Sequence, residues 1–390
     1  MPTLDNRHNR HSRAASGFSA GPDAAVDGRS GRSDAMGDLG LLACRSFLLI
    51  VPSIMLGAFL GTSLPANALF VLPAVGAMLV APRARLQRLP VSIALVLLLA
   101  WMGLSYLWSV DQPATLFALR EDLAPILGLI IVVGLLPVDE SVKWLVRGFK
   151  LMVAMTAVVI ILLPETRETF LEQERLDAWR GWFPGKNHMG RSVLVAYLVF
   201  LTLDRTRVSR LIGIVAALVL TIGSSSATAL AGVFLVTGVW IWGRQFRRVG
   251  EHAGVAYLLT SIAGGITAGI AAFASAAWLV NLLGRDLSFS GRTDVWGPSL
   301  DFVSNRPWVG YGYRALFTPN TSESLELWRE MGFRAAHSHS GPIEVALGLG
   351  AIGLLLFFLV YISTFASSLR YLKTHDVALF AFAFALPFLS

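Results

Sequence analysis

The sequence predicts an all-α fold of the polytopic transmembrane kind, on three observations. The chain is 55% hydrophobic and 15% charged, with a mean hydropathy of +0.63, which is too apolar for a soluble globular protein of 390 residues. Its apolar residues gather into runs long enough to span a bilayer. Its Arg and Lys residues recur at every second link between those runs, as the positive-inside rule requires of a chain that crosses repeatedly.

Taken in order, residues 1–38 mix Arg, Asp, Ser, Gly and Asn without apolar periodicity. They lack the apolar core and small-residue cleavage site of a signal peptide, so they read as a disordered cytoplasmic tail. About eleven candidate spans follow, at 39–60, 64–81, 90–107, 123–136, 142–163, 189–203, 208–224, 227–242, 255–280, 343–361 and from His375 onward. The first nine make up a membrane unit over 39–280, and the last two lie within 343–390. The final run reaches Ser390 without a polar cap, which gives the expectation that the natural chain continues.

Arg83, Arg85 and Arg88, then Lys143, Arg147 and Lys150, then Arg205, Arg207 and Arg210, then Arg244, Arg247 and Arg248, and finally Arg370 and Lys373 all fall on one side. The positive-inside rule makes that side cytoplasmic, together with the amino terminus. The same rule resolves 208–242, which one long helix with Ser224, Ser225 and Ser226 at its middle would also fit. A single helix would set its two flanking Arg clusters on opposite faces. A tight hairpin keeps both inside and puts the serine turn at or just below the outer surface, where irregular backbone must face protein or a wet cavity.

The segments left outside are 108–122, 164–188 and 281–342, and the last two are the expected working surface, with 281–342 partly helical. The formal charge of +7 does not indicate nucleic acid, because the basic residues sit in loops rather than on one soluble face. Cys44 is the single cysteine and reports nothing about an oxidising compartment. No internal repeat is visible.

The polar blocks carry a resemblance. FSGRTDVW at 289–296, RPWVGYGY at 306–313 and HSGPIEVALGLGAIGLLLFF at 339–358 resemble the O-antigen ligase and O-antigen polymerase superfamily of bacterial membrane glycosyltransferases, nearest its exopolysaccharide polymerisation branch. LSYLWSVDQPATL at 104–116, RGWFPGKNHMG at 180–190 and SSSATAL at 224–230 resemble further blocks of that superfamily. The resemblance implies an inverting, metal-independent transfer of a glycan from a polyprenyl-diphosphate carrier to an acceptor hydroxyl at the extracytoplasmic face of the bacterial inner membrane. It makes 281–342 the catalytic loop. The superfamily commonly has His-Asn-Gly-aromatic where this chain has His339, Ser340, Gly341 and Pro342.

Such a transfer needs a base for the acceptor hydroxyl, and imidazole, whose ordinary pKa lies near neutrality, can serve. By the topology above His188, His337 and His339 lie outside, whereas His252 and His375 face the cytoplasm. His339 matches the superfamily block and precedes Glu344 at the loop-to-helix junction; His339, Arg292 and Glu344 are the candidate catalytic residues. The departing diphosphate calls for Arg, which stays charged and forks onto phosphate oxygens. Arg292 and Arg180 match superfamily blocks, Arg191 falls in the first turn of the sixth span, and Arg314 follows YGY.

Lys186 and Asn187 open a helix whose free amides would also attract an anion, with a capping role for Asn187 as the plain alternative. For each Arg the plain alternative is an ordinary loop ion pair. The HxH pair invites a metal, yet only His188 could readily join it and a zinc site wants three protein ligands, so neither metal nor cofactor is expected. Trp308, Tyr311 and Tyr313 are sugar-stacking platforms or interfacial anchors.

The expected partners are the lipid-linked glycan donor, a glycan or lipid-glycan acceptor, the bilayer and other polysaccharide-assembly proteins, with no nucleic acid. The other readings left open are a ligase that attaches finished polysaccharide to a lipid-A core, a transporter, and a glycan-binding scaffold.

Overall fold

The computed structural model describes residues 44, 45, 48, 91–171, 174–250, most of 253–267, and 292–385. The expected tail, the spans at 64–81 and nearly all of 39–60, most of 255–280 and the stretch 281–291 lie outside the described residues. What is described is an all-helical assembly with one short hairpin. Helix α1 (Ile93–Leu104) leads into a 3-10 turn (Ser105–Trp108), α2 (Gln112–Leu135) and α3 (Val138–Leu162). A second 3-10 turn (Pro164–Arg167) precedes strands β1 (Glu168–Leu171) and β2 (Glu174–Asp177), antiparallel from Glu168 opposite Asp177 to Leu171 opposite Glu174. Then come α4 (Lys186–Leu203), α5 (Arg207–Gly223), α6 (Ala227–Phe246), α7 (Arg292–Asn305), α8 (Ser322–Met331), α9 (Gly341–Tyr371) and α10 (Asp376–Ala385). Among the described residues α3, α6 and α9 are long and apolar enough to cross a membrane.

Beyond shifts in where helices begin and end, two features differ from the sequence reading. The segment 108–122 is not a loop beyond Asp111, because α2 begins at Gln112. Asp111 caps it, accepting from the Ala114 amide at 3.0 Å, and Pro113 occupies its first turn. Gln112, Arg120, Glu121 and Asp122 interrupt the hydropathy without interrupting the helix. The β hairpin is the second difference, since nothing in 164–188 alternates as a strand should.

Helix α4 is the hub, packed against α3, α5, α6 and α10. Phe183 just before it, and Met189, Val193 and Phe200 on it, are fully buried, as expected of a helix that is apolar nearly all round from Val193 onward. Close approach is bought by glycine: a Cβ at Gly213 of α5 would meet the Phe200 ring at 2.8 Å, and one at Gly190 would meet Ser226 and Ala229 at 2.9 Å.

Arg83, Arg85 and Arg88 lie outside the described residues; the other basic clusters are tied to neighbouring elements by ion pairs at one end of this bundle. There Lys150 pairs with Asp204 at 2.7 Å, Arg205 with Asp139 at 2.8 Å and Arg45 with Glu140 at 2.5 Å. Arg247 reaches Asp376 at 2.6 Å and the carbonyls of Leu372 and His375 at 2.7 and 2.9 Å. The serine hairpin is present: Ser225 takes φ 49° and Ser226 caps α6, so both Arg clusters that flank it share this end.

At the other end α9 is broken. Gly350 has φ 66° and ψ −167° inside the helix, a conformation open essentially to glycine alone. The break releases the groups that an unbroken helix would pair with each other, and residues 307–312 take them up. The carbonyls of Leu347 and Gly348 accept from the amides of Tyr311 and Gly312 at 2.8 and 2.9 Å, while the amides of Ala351 and Ile352 donate to the carbonyls of Pro307 and Trp308 at 2.7 and 3.3 Å. Trp101 of α1 donates to the Leu349 carbonyl at 3.0 Å, and Trp108 donates to the Val309 carbonyl at 2.9 Å.

A Cβ at Gly350 would strike the Trp308 backbone, whereas one at Gly332, the left-handed cap of α8 with φ +79°, would meet nothing within 4 Å. Gly350→Ala is therefore expected to destabilise the protein by roughly 3 kcal/mol or more, as strain and overpacking combine, against about 1–2 kcal/mol for Gly332→Ala. Unfolding in detergent, followed for both variants, checks the order; equal losses would mean that the break is not held as described.

Candidate active site

The histidine turn is built around Ser338, whose side chain is completely buried. Its amide donates to Glu344 Oε2 at 2.9 Å, its carbonyl accepts from Trp296 Nε1 at 3.0 Å, and its Oγ donates to the Ser340 carbonyl at 2.9 Å. The exposed histidines on either side bring their rings to 4.0 Å between centroids. His339 takes φ 55°, a left-handed conformation uncommon for a side chain of this size. Ser340 then caps α9 without using its hydroxyl, and Pro342 sits in the first turn, where a missing amide costs no helical bond.

Opposite the turn stands the start of α4. Gly185 precedes it with no side-chain cap, and Lys186 is its first residue. Asn187 is not the cap that the sequence suggested: its Oδ1 accepts from Ser226 Oγ at 3.0 Å, which ties α4 to the serine turn. Arg191 falls in the second helical turn rather than the first, because α4 starts at Lys186.

The two halves meet electrostatically at His337, whose imidazole is pushed down to about 4, first by partial desolvation and then by His339, Arg191, His188 and Arg314. Charges from α4, the 306–314 loop and the turn before α9 thus all act on the His337 imidazole. Among the described residues no group of three or more His, Cys, Asp or Glu is arranged to hold a metal ion.

The remaining residues singled out in the sequence divide as follows. Arg314 has φ 53° and pairs with Asp122 at 3.1 Å and Glu121 at 3.6 Å, so its charge is matched by α2. Tyr313 donates to Asp122 at 2.8 Å, and burial followed by that carboxylate raises its phenol well above the usual range, keeping it a donor. Arg180 is half-buried between β2 and α4, with its amide on the Thr166 carbonyl at 2.9 Å. Arg292 is the first described residue of α7; its side chain lies outside the described ones.

Tyr311 is no platform for a sugar, since it is 3% exposed and donates to the Phe302 carbonyl at 3.1 Å, with Arg306 over its ring at 4.7 Å. Trp308, 68% exposed, remains available. Glu121, Asp122 and Ser338 were not singled out by the sequence. For the carboxylates the only signal was the need of Arg314 for counter-charge.

Residues 212–358 match the O-antigen ligase family, a stretch that holds the serine turn, α7, the 306–314 loop, the histidine turn and the break in α9. Over 158 residues the chain is 30% identical to the exopolysaccharide production protein ExoQ of Rhizobium meliloti (strain 1021), a match covering 39% of this chain and 36% of that relative. The resemblance to the O-antigen ligase and polymerase superfamily, on its exopolysaccharide side, is borne out over the stretch these matches cover.

His337 gives this geometry a pH signature. Its folded pKa lies below the value of about 6.5 of a free histidine, so between about 4 and about 6.5 the unfolded chain binds more protons and stability rises with pH. Replacing His337 by Gln is expected to flatten that part of the stability profile. Arg191→Ala is expected to raise the His337 pKa and so narrow the sloping range from its low-pH edge. Melting temperatures across pH 4–8 check both, and an unchanged slope in the Gln variant would place His337 outside this charge cluster.

Proposed function

We propose that the chain is an inverting, metal-independent glycosyltransferase of the bacterial cytoplasmic membrane. It moves a glycan from a polyprenyl-diphosphate carrier to an acceptor hydroxyl on the extracytoplasmic face and polymerises a surface polysaccharide. The observation that carries this reading is the pair of His337 and His339 rings, 4.0 Å apart at the turn into α9, with the charges of His188 and Arg191 of α4 acting on His337. By the positive-inside rule the Arg and Lys clusters, and the amino terminus, face the cytoplasm. The loop 281–342 then caps the outer end.

In this reading the acceptor oxygen attacks the anomeric carbon from the side opposite the diphosphate. The bond from that carbon to the diphosphate oxygen breaks, and the acceptor proton passes to the imidazole of His339. Negative charge grows on the leaving diphosphate, where Arg292, Arg180 and Arg191 would meet it with Lys186 and the amides that open α4. Arg314, held by Glu121 and Asp122, contributes as an oriented cation. His337, neutral at pH 7, shapes the position without adding charge.

The matched family's description, O-antigen ligase, favours a second reading in which finished chains pass to another acceptor such as a lipid-A core. The similarity to an exopolysaccharide production protein favours the polymerase.

With a lipid-linked oligosaccharide donor, an acceptor and EDTA present, purified protein is expected to release polyprenyl diphosphate. His339→Ala should lower turnover by about 10²–10⁴ with donor affinity little changed. Arg292→Ala should weaken donor binding as well, with only partial recovery in Arg292→Lys because the fork is lost. His337→Ala should be mild; if it proves as damaging as His339→Ala, the base is misassigned. Activity lost on chelation and restored by a divalent ion would rule out the metal-free reaction. Sizing surface glycan after gene deletion separates the two readings: single repeat units point to a polymerase, and long chains on the carrier lipid to a ligase.

A further inference from the structure

We infer that Glu344 is a positioning residue, which acts on the reaction through the backbone of the histidine turn rather than through its charge, with Trp296 holding the other side of the same peptide unit. This inference rests on His339 being the base. Its grounds are geometric. The Glu344 carboxylate accepts the Ser338 amide at 2.9 Å, its own amide donates to the Ser340 carbonyl at 2.9 Å, and Trp296 Nε1 donates to the Ser338 carbonyl at 3.0 Å.

Ser338 is thereby fixed at amide, carbonyl and hydroxyl while lying wholly buried. The neighbour it fixes is His339, whose φ of 55° is disfavoured for a side chain with a Cβ and persists only where the surroundings over-determine it. Released from this clamp, the turn would relax toward negative φ and swing the imidazole away. Because Trp296 belongs to α7, which Arg292 opens, the same clamp sets the histidine turn against the element that carries the proposed diphosphate ligand.

A carboxylate is favoured at this place because it accepts a stronger hydrogen bond than an amide does and complements the start of α9. Position requires only an acceptor oxygen, however, and that distinguishes a positioning role from a catalytic one. Glu344→Gln keeps an oxygen on the same stem, and is expected to retain turnover within about threefold. Glu344→Ala is expected to lose about 10–10² in kcat with KM for the donor unchanged, the scale set by misplacing a catalytic group by about an ångström. Trp296→Phe, which removes the donor and keeps the ring, should show the same split between kcat and KM.

Hydrogen exchange at the Ser338 amide supplies a readout that needs no activity. Protection should fall in Glu344→Ala and persist in Glu344→Gln. Should the Gln variant be as inactive as the Ala variant with Ser338 still protected, the charge of Glu344 is what matters and the inference is overturned. Unchanged protection in Glu344→Ala would overturn it equally, whatever the activities. Where wild-type protein transfers no glycan and the exchange pattern is as expected, the clamp stands and the functional reading is what fails. A failure of Glu344→Ala to fold leaves the Gln and Phe variants to decide.

Discussion

The break in α9 at Gly350 is the constraint on which the outer end of the molecule depends. In a medium without water, a helix can be interrupted only where other protein takes over its backbone hydrogen bonds. Here the carbonyls of Leu347 and Gly348 and the amides of Ala351 and Ile352 are each paired with the turn and loop from Pro307 to Gly312. The loop is therefore inserted into the helix rather than laid over it, and its position cannot drift without exposing several buried polar groups at once, each costing about 1–3 kcal/mol. Trp101 and Trp108 add indole donors from the 3-10 side, which joins α1 to the same junction. Arg314 follows directly from that loop and the histidine turn leads directly into α9, so both inherit their places from this break.

The electrostatics follow from those placements. Arg314 emerges beside α2, where Glu121 and Asp122 match its charge and Tyr313 donates to the same Asp122. A cation so held is oriented at little entropic cost to a later ligand. Arg191 and Lys186 come from a different element, the start of α4, whose position is set by the burial of Phe183, Met189 and Val193 and by the bond from Ser226 to Asn187. Cations from two separate elements, Arg191 and Arg314, that both act on the His337 imidazole suit a reaction that develops negative charge on one side and takes up a proton on the other.

The sequence was most legible where physical periodicity is unambiguous. Long apolar runs located α3, α6 and α9, and the argument that put the 207–210 and 244–248 clusters on one face predicted the serine hairpin that the structure contains. Polar residues inside a helix were misread: Gln112 to Asp122 looked like a loop because hydropathy does not distinguish a polar helix end from a turn, although Asp111 followed by Pro113 was a start signal in plain view. The break in α9 was not foreseen either. LGLGAIG reads as a continuous apolar run, and only the partner carbonyls and amides at 307–312 show that Gly350 ends one helical segment and begins another. The pairing of Glu121 and Asp122 with Arg314 joins positions almost two hundred apart in the chain, a distance over which local pattern carries no information.

At the site itself the chain departs from the superfamily's His-Asn-Gly-aromatic block in a way the structure makes intelligible. An Asn after the histidine could cap the following helix with its side chain, whereas Ser340 occupies the capping position without making that bond. What holds the turn instead lies one residue before the histidine, in the buried Ser338, and one helical turn after it, in Glu344. Pro342 fixes φ near its helical value and removes an amide that would otherwise need a partner, which reduces the demand on the cap. The left-handed histidine is thus sustained by contacts on both sides of it in the chain and by Trp296 from α7, and the one residue between it and α9, Ser340, takes part through its backbone carbonyl.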